Sequence, residues 1–185
     1  MFAAERWEVL ARKEKRGFMS LDVFKLDGRV ALITGGSRGL GFVMAKALAE
    51  AGADVVVTSR QKEKALESAA HLAEITKRRT LGLAVDVTNV EQIEAMVHAV
   101  VKEFGRIDIL VNNAGINVRK PVEELDEVSW DLVQDTNLKA PFLCSRAAAR
   151  SDRESLTSQP CLESCQQLVR TYPCRSSWER WKPDT

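Results

Sequence analysis

Short apolar runs alternate with longer amphipathic stretches from residue 29 onward, and this alternation restricts the fold more than any other feature of the chain. The predicted strands are 29–34, 54–59, 81–87 and 107–111, and the predicted helices are 39–51, 62–76, 89–104 and 128–149. Nearly continuous apolar strands that alternate with helices are typical of a parallel sheet covered on both faces. Right-handed crossovers then give a doubly wound, Rossmann-like α/β fold, which here stops after about four strands.

A glycine-rich turn lies between the first predicted strand and its helix, and reads Thr34-Gly35-Gly36-Ser37-Arg38-Gly39-Leu40-Gly41. Alone, such a turn is an ordinary strand-to-helix connection. Glycines let the backbone approach a ligand closely, and the following helix N-terminus offers unpaired N–H groups and a partial positive charge. Because a strand precedes the turn and a helix follows it, the sequence predicts a site for the pyrophosphate of a dinucleotide.

Three further motifs follow in order: Asp86-Val87, Asn112-Asn113-Ala114-Gly115, and Asn137 in the run DTNLKAPF. Each has a plainer interpretation, as a helix N-cap region, a turn, or a capping side chain. Taken together with the G-x-x-x-G-x-G spacing after Thr34, they resemble the short-chain dehydrogenase/reductase family over residues 29–146. The resemblance implies that Asp86-Val87 holds the adenine ring and that Asn137 is the asparagine of the catalytic tetrad.

The resemblance and the turn together give a set of candidate cofactor-binding residues. These are Thr34, Gly35, Ser37, Arg38, Gly39, Leu40, Gly41, Ser59, Arg60, Asp86, Val87, Asn113, Ala114 and Gly115. The run from Asn113 to Ala147 is similar to the branch with gluconate 5-dehydrogenases and 3-oxoacyl-carrier-protein reductases. That similarity implies NADP(H)-dependent interconversion of an alcohol and a carbonyl.

The end of the second predicted strand favours NADP(H) over NAD(H). NAD binders place an acid there, about 20 residues past the glycine motif, for the ribose 2′-hydroxyl. Here the strand ends in Ser59-Arg60, and Arg38 is expected on the other side of the same ribose. Guanidinium groups suit a 2′-phosphate. NAD(H) is the alternative cofactor, and on a plainer interpretation both arginines simply reach into solvent.

The remaining catalytic residues of the family are not found in the sequence. Its chemistry requires a strand-borne serine and a tyrosine with a lysine four residues later, since a phenol of pKa near 10 needs an adjacent cation. The single tyrosine, Tyr172, is followed by Pro173, with Ser176 four positions on, and Lys182 is ten positions away. The sequence therefore predicts little or no turnover. The alternatives are an NADP(H)-binding module and a non-functional gene product that folds poorly.

Composition divides the chain into three parts, because no glycine follows Gly115 and the end is rich in Cys, Ser, Arg and Trp. We expect a charged N-terminal extension over 1–18, an NADP(H)-binding domain over 19–150, and an irregular tail over 151–185 that is disordered or translated out of frame. A diverged domain is one alternative for the tail, and Cys161, Cys165 and Cys174 raise a second, a metal site. Structural zinc normally takes four ligands, so no metal site is predicted.

Charge and hydropathy limit the partners. A net charge of +1 gives no attraction to nucleic acid or an anionic membrane. No apolar run approaches the about 20 residues that span a bilayer, and the N-terminus has no secretory apolar region. We therefore expect a cytoplasmic chain that binds a dinucleotide and, where the catalytic residues are supplied, a small alcohol or carbonyl compound. Oligomerisation is doubtful, because the family associates mainly through helices that this sequence does not show.

Overall fold

The computed structural model describes residues 21–156, and the side chains of Asp22 and of Phe24–Ser151. The strands are β1 (Val30–Ile33), β2 (Asp54–Ser59), β3 (Thr80–Ala84) and β4 (Ile109–Val111). The α-helices are α1 (Gly39–Glu50), α2 (Lys62–Thr76), α3 (Val90–Phe104), α4 (Glu127–Gln134) and α5 (Ala140–Leu156). A π-helical segment, Asp135–Lys139, joins α4 to α5, and short 3-10 helices cover Leu21–Phe24 and Val122–Glu124.

The four strands form one parallel sheet in the order β3-β2-β1-β4. The chain runs outward from β1 to β3 and then returns to place β4 on the other side of β1. This reversal separates the loops after β1 and β4 and opens a crevice at the carboxyl ends of the strands, where ligands of such folds bind. The predicted Rossmann-like fold is confirmed.

The strands bury both faces, as predicted for a parallel sheet with helices on each side. Ala31 and Ile33 of β1 belong to one core cluster, together with Ala45 and Ala49 of α1 and Leu72 of α2. Val30 and Leu32 face the opposite way, into a cluster completed by α3 and α5. The glycine turn that follows β1 is therefore anchored at its start by a strand that packs on both sides.

The predicted helix over 128–149 differs from the structure, which has α4, the π-helical segment and α5 in its place. Pro141 explains the interruption. It has no N–H to donate to the carbonyl of Asn137 four residues earlier, and its ring clashes with that carbonyl in a regular α-helix. Widening the turn relieves the clash, and the helix then continues to Leu156, past the predicted end.

Within residues 21–156, no helix combines the length and the apolar character that crossing a bilayer requires.

Candidate functional site

The turn after β1 has the open backbone that the glycine motif predicts. Gly35 and Gly39 have φ angles of +64° and +56°, a region that side chains disfavour. A Cβ on Gly41 would lie 2.5 Å from both the Gly35 carbonyl oxygen and Nδ2 of Asn113. The N-cap residue of α1, Arg38, makes no side-chain capping hydrogen bond, so its first amides are left for a ligand.

Thr34 and Asn113 hold this turn against the end of β4. The hydroxyl oxygen of Thr34 accepts hydrogen bonds from the backbone N–H groups of Asn113 and Ala114, both at 3.1 Å. The side-chain amide of Asn113 donates to the carbonyls of Thr34 at 3.0 Å and Gly35 at 3.1 Å. Two loops that are far apart in sequence thus form one frame.

An open cleft of about 670 Å³ lies at the carboxyl ends of the strands. All the candidate cofactor-binding residues line it except Thr34, which is 2% exposed and lies beneath the surface. The structure therefore brings together residues from four separate loops. Other lining residues were not predicted: Thr58, Gln61, Lys64, Val85, Thr88, Ile116, Leu132 and Thr136.

The side of the cleft at the end of β2 carries more positive than negative charge. Arg38, Arg60 and Lys64 line the cleft, are exposed, and form no ion pair with another described residue. Asp86 is the one acidic side chain among the described residues of the lining. At the end of β2, where an acid would meet a ribose hydroxyl, the chain has Ser59, whose hydroxyl accepts a hydrogen bond from the Gln61 N–H. The arrangement suits an anionic ligand.

The predicted strand over 81–87 includes Asp86, but β3 ends at Ala84, so Asp86 lies beyond its end. The ladder between β2 and β3 ends at the pair Ser59 and Ala84, so the chain is free to turn after Val85. The Asp86 carboxylate accepts hydrogen bonds from the Thr88 backbone N–H at 2.9 Å and the Thr88 hydroxyl at 2.7 Å. The hydrogen bond from the Thr88 backbone has the largest effect on the pKa of Asp86, followed by the bond from the Thr88 hydroxyl. Together with the nearby charge of Arg60, these bonds outweigh partial desolvation and lower the pKa of Asp86. Asp86 is therefore an ionised hydrogen-bond acceptor at neutral pH.

Asn137 lies in the π-helical segment and does not line the cleft. Its Oδ1 accepts a hydrogen bond from the Ile116 N–H at 2.9 Å, and its Nδ2 donates to the Ile116 carbonyl at 2.8 Å. Asn137 thus fixes the loop that begins with Asn113-Ala114-Gly115. The tetrad position that the resemblance implies for Asn137 stays a prediction.

Several other predictions lie outside the described residues. These concern the extension over 1–18, Cys161, Cys165, Cys174, Tyr172, Ser176 and Lys182. Within residues 21–156, no cluster of three or more His, Cys, Asp or Glu side chains could hold a metal ion.

Comparison with known proteins places the site in context. A family model for short chain dehydrogenases matches residues 29–155, more than half of the chain. The chain is 42% identical to the gluconate 5-dehydrogenase of Gluconobacter oxydans, over 70% of this chain and 50% of the relative. It is also 42% identical to the 3-oxoacyl-[acyl-carrier-protein] reductase of Vibrio cholerae, over 68% of this chain and 50% of the relative.

Among solved structures, L-sorbose reductase from Gluconobacter frateurii, complexed with NADPH and L-sorbose, matches with a TM-score of 0.67 and 34% identity. The match covers 71% of this chain and 50% of that one. The chain spans about half the length of the curated relatives it matches. The predicted family resemblance is confirmed, and this chain belongs to the short chain dehydrogenase family.

Proposed function

We propose that this chain binds NADP(H) in the cleft, as the cofactor-binding portion of an oxidoreductase that interconverts an alcohol and a carbonyl. One observation carries the proposal: an uncapped helix N-terminus and a glycine turn lie beside two guanidinium groups that have no ion-pair partner among the described residues. Arg38 and Arg60 line the cleft. The strand β2, which ends at this cleft, has Ser59 rather than an acid as its last residue. A pyrophosphate and a second phosphate together match this pattern.

Each part of the cofactor has residues to hold it. The amides of the turn from Gly35 to Gly41 would bind the pyrophosphate, as P-loops and dinucleotide folds do. Arg38 and Arg60 would flank the ribose 2′-phosphate, and Asp86-Val87 would lie against the adenine. Asn113-Ala114-Gly115, on the far side of the turn, would support the nicotinamide end.

When bound, NADP(H) supplies or accepts the hydride of the reaction. The residues of this chain bind and orient it: the frame of Thr34 and Asn113 holds the turn, and Asn137 holds the loop at Ile116. The names of the relatives support a substrate that is a sugar acid, a sugar or an oxo acid derivative. We propose the gluconate-like class as the first to assay.

A second candidate function is cofactor binding without turnover. The sequence favours it, since its only tyrosine, Tyr172, has Ser176 rather than a lysine four residues on. No other phenol in the chain is available to transfer the proton. In this proposal residues 19–150 are the binding domain, and the segments over 1–18 and 151–185 add no catalytic group.

Equilibrium titration with NADPH and NADH tests both candidates. We expect NADPH to bind more tightly than NADH. Arg60→Ala or Arg38→Ala should weaken NADPH binding by about tenfold, while the affinity for NADH should stay within about twofold. Arg119→Ala is the matched control, since Arg119 is exposed, forms no ion pair with a described residue, and does not line the cleft. Tighter binding of NADH would contradict the cofactor assignment.

An activity assay then separates the two candidates. NADPH consumption with 5-ketogluconate or a 3-oxoacyl thioester should not exceed background if the chain binds without turnover. Robust turnover would refute that candidate and leave the oxidoreductase.

A further inference from the structure

Lys64 is a cation of the cleft that the sequence did not single out. It lies in the first turn of α2 and lines the cleft together with Arg60 and Gln61. Lys62, which lies in the same turn and is also exposed, does not line the cleft. The two lysines therefore have the same side chain and lie on the same helix, but only Lys64 lies at the cleft.

The start of α2 is held firmly against the sheet, which fixes where Lys64 emerges. Ala65 is fully buried, and its carbonyl oxygen lies so close to Gly82 of β3 that a Cβ there would collide with it. The Ser68 hydroxyl donates to the Lys64 carbonyl at 2.6 Å. Lys64 thus stands at the border between the buried face of α2 and the cleft.

Lys64 is a cation near the N-terminus of α2, with the acid Glu63 beside it in the same turn. A cation in the first turn of a helix opposes the helix dipole. Lys64 forms no ion pair with another described residue, although Glu67 follows three positions later on the same helix. An anion bound beside Arg60 would supply the missing negative charge.

We infer that Lys64 is a third cation for the 2′-phosphate of the cofactor and a determinant of the preference for NADP(H) over NAD(H). This inference rests on the proposed function, because the same cleft must bind the dinucleotide. The ammonium acts as a point charge beside the Arg60 guanidinium, which contributes directional hydrogen bonds. Lys64 is a specificity residue in this account and takes no part in the proton or hydride transfer.

The test uses the full 185-residue chain, with NADPH and NADH as probes in separate equilibrium titrations. Lys64→Met should weaken NADPH binding by about fivefold, since an exposed charge pair contributes at most about 1 kcal/mol. The affinity for NADH should stay within about twofold. Lys64→Arg should retain the preference. Lys62→Met is the matched control and should leave both affinities within about twofold.

Thermal unfolding of each variant without ligand shows whether it is folded. Lys64→Met should melt at or slightly above the temperature of the unsubstituted chain, because removing a cation from the first turn of α2 favours the helix. Equal weakening of both cofactors, or no change in either, would overturn the inference while leaving the proposed function intact. Failure of the unsubstituted chain to bind either dinucleotide would instead overturn the proposed function.

Discussion

Two hydrogen bonds join Asn113 to Thr34, one from the backbone of Asn113 to the side chain of Thr34 and one from the side chain of Asn113 to the backbone of Thr34. The Asn113 backbone N–H donates to the Thr34 hydroxyl at 3.1 Å, and the Asn113 side-chain amide donates to the Thr34 carbonyl at 3.0 Å. These bonds join the end of β1 to the end of β4 at the crevice where the strand order reverses. These hydrogen bonds therefore hold the glycine turn in place before any ligand binds.

Removing the Thr34 hydroxyl should damage both stability and binding. Thr34→Val keeps the shape but leaves the backbone N–H groups of Asn113 and Ala114 without their acceptor. We expect a loss of about 2–4 kcal/mol in the free energy of unfolding, measured by urea denaturation. Thr34→Ser retains the hydroxyl and should lose about 1 kcal/mol or less. Equal losses for the two variants would contradict this role.

Gly41 should tolerate no side chain. A Cβ there meets Nδ2 of Asn113 and the Gly35 carbonyl, so Gly41→Ala should displace the frame of the turn. We expect a loss of about 1–3 kcal/mol in unfolding free energy, together with loss of NADPH binding.

Gly105→Ala is the matched control for Gly41→Ala. Gly105 has a φ of +81° and open space around it, at the end of α3. It should cost about 1 kcal/mol through backbone strain alone and leave NADPH affinity unchanged. If Gly41→Ala bound NADPH normally, the close approach at the turn would have no role in binding.

Asp86 makes the folded chain sensitive to acid. Its pKa lies below the ordinary 3.8, chiefly because of the hydrogen bonds from Thr88. A carboxyl whose pKa is lowered on folding stabilises the fold above its unfolded pKa, and that contribution is lost as the pH falls through the folded pKa.

Asp86→Asn should therefore lose less stability than the unsubstituted chain as the pH falls below 3.8. The difference should stay below about 1 kcal/mol, because the carboxylate is only partly buried and water screens its interactions. Thr88→Val removes one of the two hydrogen bonds and should raise the pKa of Asp86, as measured by NMR titration. An unchanged pKa in Thr88→Val would contradict the assigned cause.

Asn137 should act by holding the loop at Ile116. Asn137→Ala removes both hydrogen bonds to the Ile116 backbone and should cost about 1–2 kcal/mol in unfolding free energy. Amide exchange at Ile116 should quicken. Asn117→Ala is the control, since its exposed side chain makes no hydrogen bond to another described residue. Unchanged exchange at Ile116 would show that the contact does not hold the loop.

Sequence periodicity predicts the positions of the elements well but their buried faces less well. The predicted bounds of β2 and α2 coincide with the structure. Apolar residues recur along α1 at Val43, Met44, Ala47 and Leu48, which predicts that they share one buried face. Val43 is instead 59% exposed, and the buried residues of α1 are Gly41, Ala45 and Ala49. Small residues allow a close approach of helix and strand, which a pattern of hydrophobicity does not register.

Residues of the candidate site that belong to sequence motifs could be predicted. Residues that reach the cleft only because of tertiary packing could not. The glycine turn, Arg60 and Asn113 are recognisable from their spacing. Lys64 is not, because only the contact between α2 and β3 decides which lysine of that turn reaches the cleft. The π-helical segment had a readable signal in Pro141, whose missing N–H interrupts the helix.

The proposed function depends on the amides of the glycine turn, which would bind the pyrophosphate of NADP(H). Chemical-shift mapping by NMR, with a ¹⁵N-labelled chain titrated with NADPH, shows whether these amides bind it. We expect the largest shifts at the amides of Gly39, Leu40 and Gly41, with further shifts at Arg60 and Asp86. An unchanged spectrum at saturating NADPH would contradict this assignment. Shifts confined to a second, separate cavity, which is lined by Ile107, Asp108, Leu110, Asn112, Ser145, Ala148 and Ala149, would contradict it as well.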